Sequence, residues 1–197
     1  MTKLKLGFLA SHGGSNMQAI IDACKNKKLN AKACVVISNN SDAFALERAK
    51  KENIPAYHLN SKTHPHDLDQ TILATLQKHK VNLVILAGYM KKISPLILAA
   101  YKNRILNIHP ALLPKFGGPG LYGLKVHTAV LAAHSQESGA TVHLVDEIYD
   151  HGRILNQVKV PVLPNDTPET LAQRVLVQEH QLYPKTLRKI SKNEIIL

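Results

Sequence analysis

The stretch RILNIHPALLPKFGG, residues 104–118, ends an apolar run with an asparagine and a histidine two positions apart, ahead of a loop rich in proline and glycine. Residues two apart share a face of an extended strand, so Asn107 and His109 present an amide and a titratable imidazole side by side. The carboxyl ends of sheet strands are where open α/β folds place ligands. There such a pair can hydrogen-bond an oxygen that gains negative charge during addition to a carbonyl. A histidine that only packs near a strand end is the competing reading, and the residues alone leave both open.

Two further stretches hold groups that can do chemistry. LASHGGSNMQ (9–18) reads as a strand, a tight turn at Gly13 and Gly14, and a helix opened by Ser15 and Asn16. Backbone N–H groups and the positive helix end then form a cradle for an anion such as phosphate. A plain strand-to-helix turn capped by Ser15 is the alternative. The stretch lacks the third glycine of the dinucleotide fingerprint and the lysine of the nucleotide-hydrolase loop, which excludes both of those motifs.

In VDEIYDHGRIL (145–155), Asp146, Glu147 and Asp150 lie between two strands. Asp150 is expected to face the histidine and favour its protonated form; a solvated acidic turn is the other possibility. His58, His64, His66, Asp67 and Asp69 look like a metal cluster but contain no i, i+4 histidine pair, and Pro65 argues for a loop, so no metal is expected.

Hydrophobic periodicity supplies the elements that must position these groups. Strands are expected at 3–10, 31–38, near 55–59, at 81–88 and at 104–109. They alternate with helices over 15–28, 42–52, 66–80, near 94–102 and near 125–134. VNLVILAG (81–88) is apolar on both faces, as suits the centre of a parallel sheet. GATVHLVD (139–146) and RILNQVKVPV (153–162) alternate more cleanly, as an antiparallel pair would. Asp166 or Thr167 before Pro168 and Glu169 signals the start of a long final helix, which Pro184 should kink. The expected fold is a single-domain, doubly wound α/β sheet over 1–197. It is mostly parallel, with helices on both faces and an antiparallel strand pair toward the C-terminus.

The totals agree with such a fold. A chain of 197 residues, 45% hydrophobic and 20% charged, is long enough for one compact core and has no apolar run of membrane-spanning length. Twenty-five Lys and Arg against fourteen Asp and Glu give +11, which would attract polyanions. With no Trp, 5% aromatic residues and dispersed basic side chains, small anions are favoured over nucleic acid. Two cysteines, Cys24 and Cys34, in no metal spacing read as reduced buried thiols, and no signal peptide opens the chain, so the cytoplasm is the expected compartment.

Taken together, NIHPALLP and the aspartate of DHGRIL some forty residues later, with GGSNMQAIIDAC, ISNNSDAFALERA, ILAGYMKKISP and QEHQLYP, resemble the phosphoribosylglycinamide formyltransferases. The resemblance runs over nearly the whole chain. It implies transfer of a formyl group from 10-formyltetrahydrofolate to the primary amine of 5-phosphoribosylglycinamide (GAR) in de novo purine biosynthesis. By resemblance, Asn107, His109 and Asp150 fall on the catalytic trio, with Asn107 and protonated His109 stabilising an oxyanion and Asp150 raising the imidazole's pKa. Gly14, Ser15 and Asn16 match the ribose-phosphate loop, and Glu179 matches a carboxylate contacting the glycinamide substrate. Met90, Lys91, Lys92 and Ile93, with Asn107, Asp146, Glu147, Ile148, Tyr149 and Asp150, match the folate-lining segments.

The resemblance also implies small-molecule partners only, no metal, nucleic acid or membrane, and a monomer or homodimer. His12 stands where many members have glycine, Lys91 where arginine is common, and the KFGGPGLYGLKVH loop is longer than in some members. Related enzymes that act on transfer RNA or hydrolyse the folate usually add a further domain. A sugar-amine formyltransferase, a nucleic-acid-binding module and an inactive folate-binding protein complete the rivals.

Overall fold

The computed structural model describes residues 3–197. Along the chain come β1 (Leu4–Ala10), α1 (Ser15–Lys25), β2 (Ala31–Ser38), α2 (Phe44–Lys51), β3 (Ala56–His58), α3 (Leu68–Lys78), β4 (Leu83–Leu86), α4 (Pro95–Ala100), β5 (Ile105–His109), α5 (Leu124–Ala132), β6 (Glu137–Leu144), β7 (Ile154–Pro161) and α6 (Pro168–Ser191). The strands form one sheet in the order β3-β2-β1-β4-β5-β6-β7. The first five are mutually parallel, β6 runs antiparallel to β5, and β7 runs antiparallel to β6.

The core has two halves because strand side chains alternate. Leu4, Leu6, Phe8 and Ala10 of β1 join the cluster that α1, α2, α5 and α6 cover, whereas Leu9 joins the cluster that α3 and α4 cover. Helices therefore lie on both faces. Strand order reverses between β1 and β4, and the crevice outside their carboxyl ends is where a doubly wound sheet leaves room for a ligand.

Several helices stop short of where periodicity carries them. Helix α1 ends at Lys25, not Lys28, because Lys27 turns left-handed (φ 58°) and the Lys27 and Lys28 N–H groups close back onto the Cys24 and Ala23 carbonyls. Asn53 (φ 56°) and Lys80 (φ 53°) do the same after α2 and α3. None of the three is glycine, the residue that usually marks such a stop. Both cysteines are free and only half-buried, and burial pushes the Cys24 thiol up to about 11.

Helix α6 is anchored at its start by Thr167, whose hydroxyl accepts from the Thr170 N–H while the Thr170 hydroxyl accepts from the Thr167 N–H. Arg174 forks onto Asp166 at 2.6 and 2.7 Å and holds that carboxyl well below the usual carboxylate range. Pro184 does not end the helix, which runs on to Ser191. One residue earlier, fully buried Tyr183 donates its hydroxyl to the Leu106 carbonyl at 2.9 Å, with the Leu86 carbonyl at 3.3 Å. This side chain ties α6 to the ends of β4 and β5. Among the described residues no helix is long and apolar enough to cross a membrane.

Candidate active site

Strand β5 delivers Asn107 and His109 in the i, i+2 pattern, and antiparallel pairing sets His143 opposite Asn107 and Thr141 opposite His109. The Asn107 amide nitrogen lies 3.2 Å from His143 Nε2, and His143 Nδ1 lies 2.8 Å from the Leu144 carbonyl. Asp150 reaches in from the β6–β7 connection. Its Oδ2 is 3.5 Å from His109 Nδ1, and its Oδ1 is 3.5 Å from His143 Nε2. The structure thus brings Asn107, His109 and Asp150 together and adds His143.

The connection can do this because Asp146 accepts the Ile148 N–H to start the turn, Asp150 sits left-handed (φ 56°), and Gly152 passes hard against Leu144. A Cβ at Gly152 would fall inside the Leu144 carbonyl oxygen. From the other side the loop after β5 lays its backbone on the pair. His109 Nε2 donates to the Phe116 carbonyl at 2.7 Å, and the Gly118 N–H donates to Asp150 Oδ2 at 3.0 Å. Between them, a Cβ at Gly117 would come within 2.5 Å of the Leu113 side chain and 3.0 Å of Asp150 Cβ. Only glycine lets the loop lie so close.

Two influences oppose each other at His109. The ring is 3% exposed, and burial is the largest influence, pushing its pKa below the ordinary imidazole value. Asp150 and the Phe116 carbonyl push the other way without prevailing, and His143 adds to the lowering. A carbonyl only accepts, so Nε2 carries a proton, and burial works against the second proton that Asp150 favours on Nδ1. For Asp150 itself burial acts upward, but the His143 and His109 rings and the Gly118 N–H outweigh it and hold the carboxyl below its usual value.

Asn107, His109 and Asp150 line a cavity of about 680 Å³ together with Asn16, Met90, Lys91, Tyr149 and Glu179. Glu179 is 7% exposed and accepts from the Asn16 amide at 2.6 Å. Burial raises its pKa, and the Asn16 bond only partly offsets that. The buried Asn16 Oδ1 has no partner within the described residues. A carboxyl raised by folding keeps its proton at pH values where the unfolded chain has lost it, so stability falls as pH rises from 4.5 through the raised value. Glu179→Gln, whose amide oxygen can keep the Asn16 bond, is therefore expected to be more stable than wild type at about pH 7 and equal to it near pH 4. Denaturant unfolding at both pH values measures this; equal stabilities at pH 7 would contradict it.

Gly14 and Ser15 do not line that cavity. Gly14 is the left-handed N-cap of α1 (φ 66°), a Cβ there would sit 2.8 Å from that of Ala45, and Ser15 is the first helical residue and makes no cap bond. The Gly13 carbonyl accepts from Arg48 Nε at 2.9 Å, which adds a guanidinium to the turn. Met90 and Lys91 face the large cavity. Lys91, Lys92, Ile93 and residues 146–150 line an adjoining pocket of about 70 Å³ with Asn107 and His143. Ser11 fixes the start of that segment, accepting from the Met90 N–H at 2.8 Å and donating to Asn39 at 2.6 Å. Buried His127 also lines the large cavity. His58 and His64 are held in their turn by Asn60 and Thr63, each at 2.9 Å.

Sequence reading missed His143, Ser11 and Arg48. For His143 a signal existed: T-x-H in GATVHLVD repeats the period-2 spacing of N-x-H in NIHP.

A protein-family model described as formyl transferase matches residues 4–187. The chain is 44% identical over 194 residues to a chloroplastic phosphoribosylglycinamide formyltransferase of Arabidopsis thaliana, covering 97% of this chain and 66% of that protein. It is 40% identical over 195 residues to the phosphoribosylglycinamide formyltransferase of Haemophilus influenzae, covering 98% of this chain and 90% of that one. The crystal structure of glycinamide ribonucleotide transformylase 1 from Symbiobacterium toebii superposes with TM-score 0.92 at 38% identity, over 98% of this chain and 90% of the other. The chain spans about two thirds of the length of the plant relatives it matches.

Proposed function

Since the chain belongs to the formyl transferase family, we propose that it transfers the formyl group of 10-formyltetrahydrofolate to the primary amine of 5-phosphoribosylglycinamide, a step of purine biosynthesis. The observation that carries this reading is the convergence of Asn107, His109 and Asp150 on one cavity that also holds the Asn16–Glu179 pair.

In the reaction the amine lone pair attacks the formyl carbon, a C–N bond forms, and the carbonyl oxygen takes on negative charge. The Asn107 amide and His109 stabilise that oxygen. A neighbouring anion offsets the burial that lowers the His109 pKa, so the ring holds a second proton most readily when the intermediate forms, and Asp150 then faces an imidazolium. As the bond to the folate nitrogen breaks, the proton lost by the amine ends on that nitrogen, with Asp150 positioning a water for the transfer. The chemistry calls for neither a metal nor a covalent enzyme intermediate.

The remaining roles follow from charge. Backbone N–H groups at Gly14, Ser15 and Asn16, with Arg48 beside them, suit a ribose phosphate, and Glu179 contacts the glycinamide substrate. Lys91 and Lys92 offer point charges to folate carboxylates, while Met90, Ile93 and residues 146–150 form the wall against which the folate lies.

The deciding assay follows folate deformylation spectrophotometrically with and without 5-phosphoribosylglycinamide. Turnover is expected only with the amine present. Deformylation at the same rate without it would identify a hydrolase and overturn the proposal. Tight, steeply salt-dependent binding to generic nucleic acid would favour the binding-module rival.

A further inference from the structure

We infer that His143 is the positioning residue that decides which way the Asn107 amide faces. This rests on the oxyanion role proposed for Asn107 and adds a reason why that amide presents hydrogen and not oxygen to the substrate. An asparagine side chain can turn over about its last bond, exchanging its NH2 for its carbonyl oxygen. Only one of the two arrangements stabilises an anion.

The chain of constraint starts at the backbone. The Leu144 carbonyl lies 2.8 Å from His143 Nδ1 and can only accept, so the proton sits on Nδ1. In the neutral ring Nε2 is then a lone pair that accepts, and the Asn107 amide nitrogen is 3.2 Å away. Asn107 therefore turns its NH2 toward His143, spends one N–H there and keeps the second for the cavity. With the amide reversed, its oxygen would meet the Nε2 lone pair. Asp150 Oδ1, 3.5 Å from the same Nε2, pulls a proton toward that nitrogen and so competes with Leu144 for the tautomer. The antiparallel register that sets His143 opposite Asn107 makes the contact part of the sheet.

The test compares His143→Phe, which keeps a ring and removes the acceptor, with His143→Gln, whose amide oxygen can accept in its place. His143→Phe is expected to lower kcat about tenfold with little change in KM for either substrate, as small misplacement of a reacting group does. His143→Gln should recover most of the loss. In an Asn107→Ala background, His143→Phe should cost almost nothing more, because the two act as one unit. Nitrogen-15 NMR of the wild-type protein should show His143 protonated at Nδ1 and bare at Nε2, a readout independent of how the variants fold. A protonated Nε2, or an unchanged kcat in folded His143→Phe, would overturn the inference. If Asn107→Ala itself kept full turnover, the formyl-transfer reading would fail instead, so the two failures are distinct.

Discussion

Asn107→Ala is expected to slow formyl transfer by about 10²–10³-fold, the cost of removing one oxyanion donor, equivalent to roughly 3–4 kcal/mol of barrier. Steady-state kinetics on purified protein should show the loss in kcat, because the amide bonds an oxygen that carries full charge only in the intermediate. The fold should survive. Asn107 is only half-buried, and its removal leaves His143 Nε2 without a donor, a defect of about 1–3 kcal/mol. His109→Ala and Asp150→Asn should lose activity to the same degree. Asp150→Asn is the more telling, since its side-chain oxygen can keep the Gly118 N–H while the charge facing His109 is gone. Because the three act together, double variants should lose little beyond the single ones. Near-wild-type turnover in a folded Asn107→Ala protein would remove the oxyanion assignment.

The largest expected effect on stability lies beneath the site. Tyr183→Ala should cost about 3–5 kcal/mol, since it empties a fully buried ring volume and leaves the Leu106 carbonyl without its 2.9 Å donor. Against a total of about 5–15 kcal/mol for an ordinary domain, that is a large share, and the melting midpoint should drop by roughly 6–20 °C. Tyr183→Phe separates the contributions: it keeps the volume and should cost only about 1–3 kcal/mol for the unpaired carbonyls. Denaturant unfolding of both variants measures the difference. Equal losses would show that the hydroxyl, and not the packing, ties α6 to the strand ends that carry Asn107.

The doubly wound class of the sheet and the change from parallel to antiparallel pairing were legible in the sequence because they follow from side-chain period, whereas the order of the strands was not. Runs apolar on both faces, such as LVIL, sit in the middle of the sheet, and cleanly alternating ones, such as β6 and β7, extend its edge. Helix ends were not legible, since Lys27, Asn53 and Lys80 make left-handed stops without the usual glycine. Within the site, the Asn107–His109 pair shows itself through local spacing. The partnership of Asn16 with Glu179 spans 163 positions, and no local pattern records it; Glu179 came from family resemblance alone. His143 needed the cross-strand register. For His109 the sequence displays Asp150, which pushes its pKa up, but not the burial that pushes it down, since burial exists only once the chain is packed.

Main-chain atoms, not side chains, press on His109 and Asp150 from the loop above them. Natural variation therefore cannot reach the His109 contact by exchanging one side chain for another at Phe116, so long as the backbone path is kept. It reaches the loop's contacts at Gly117, where any added carbon must displace either Leu113 or the carboxylate's own stem. The loop's genetic constraint thus falls on its glycines, on Gly117 for want of space and on Gly118 for its φ of 104°.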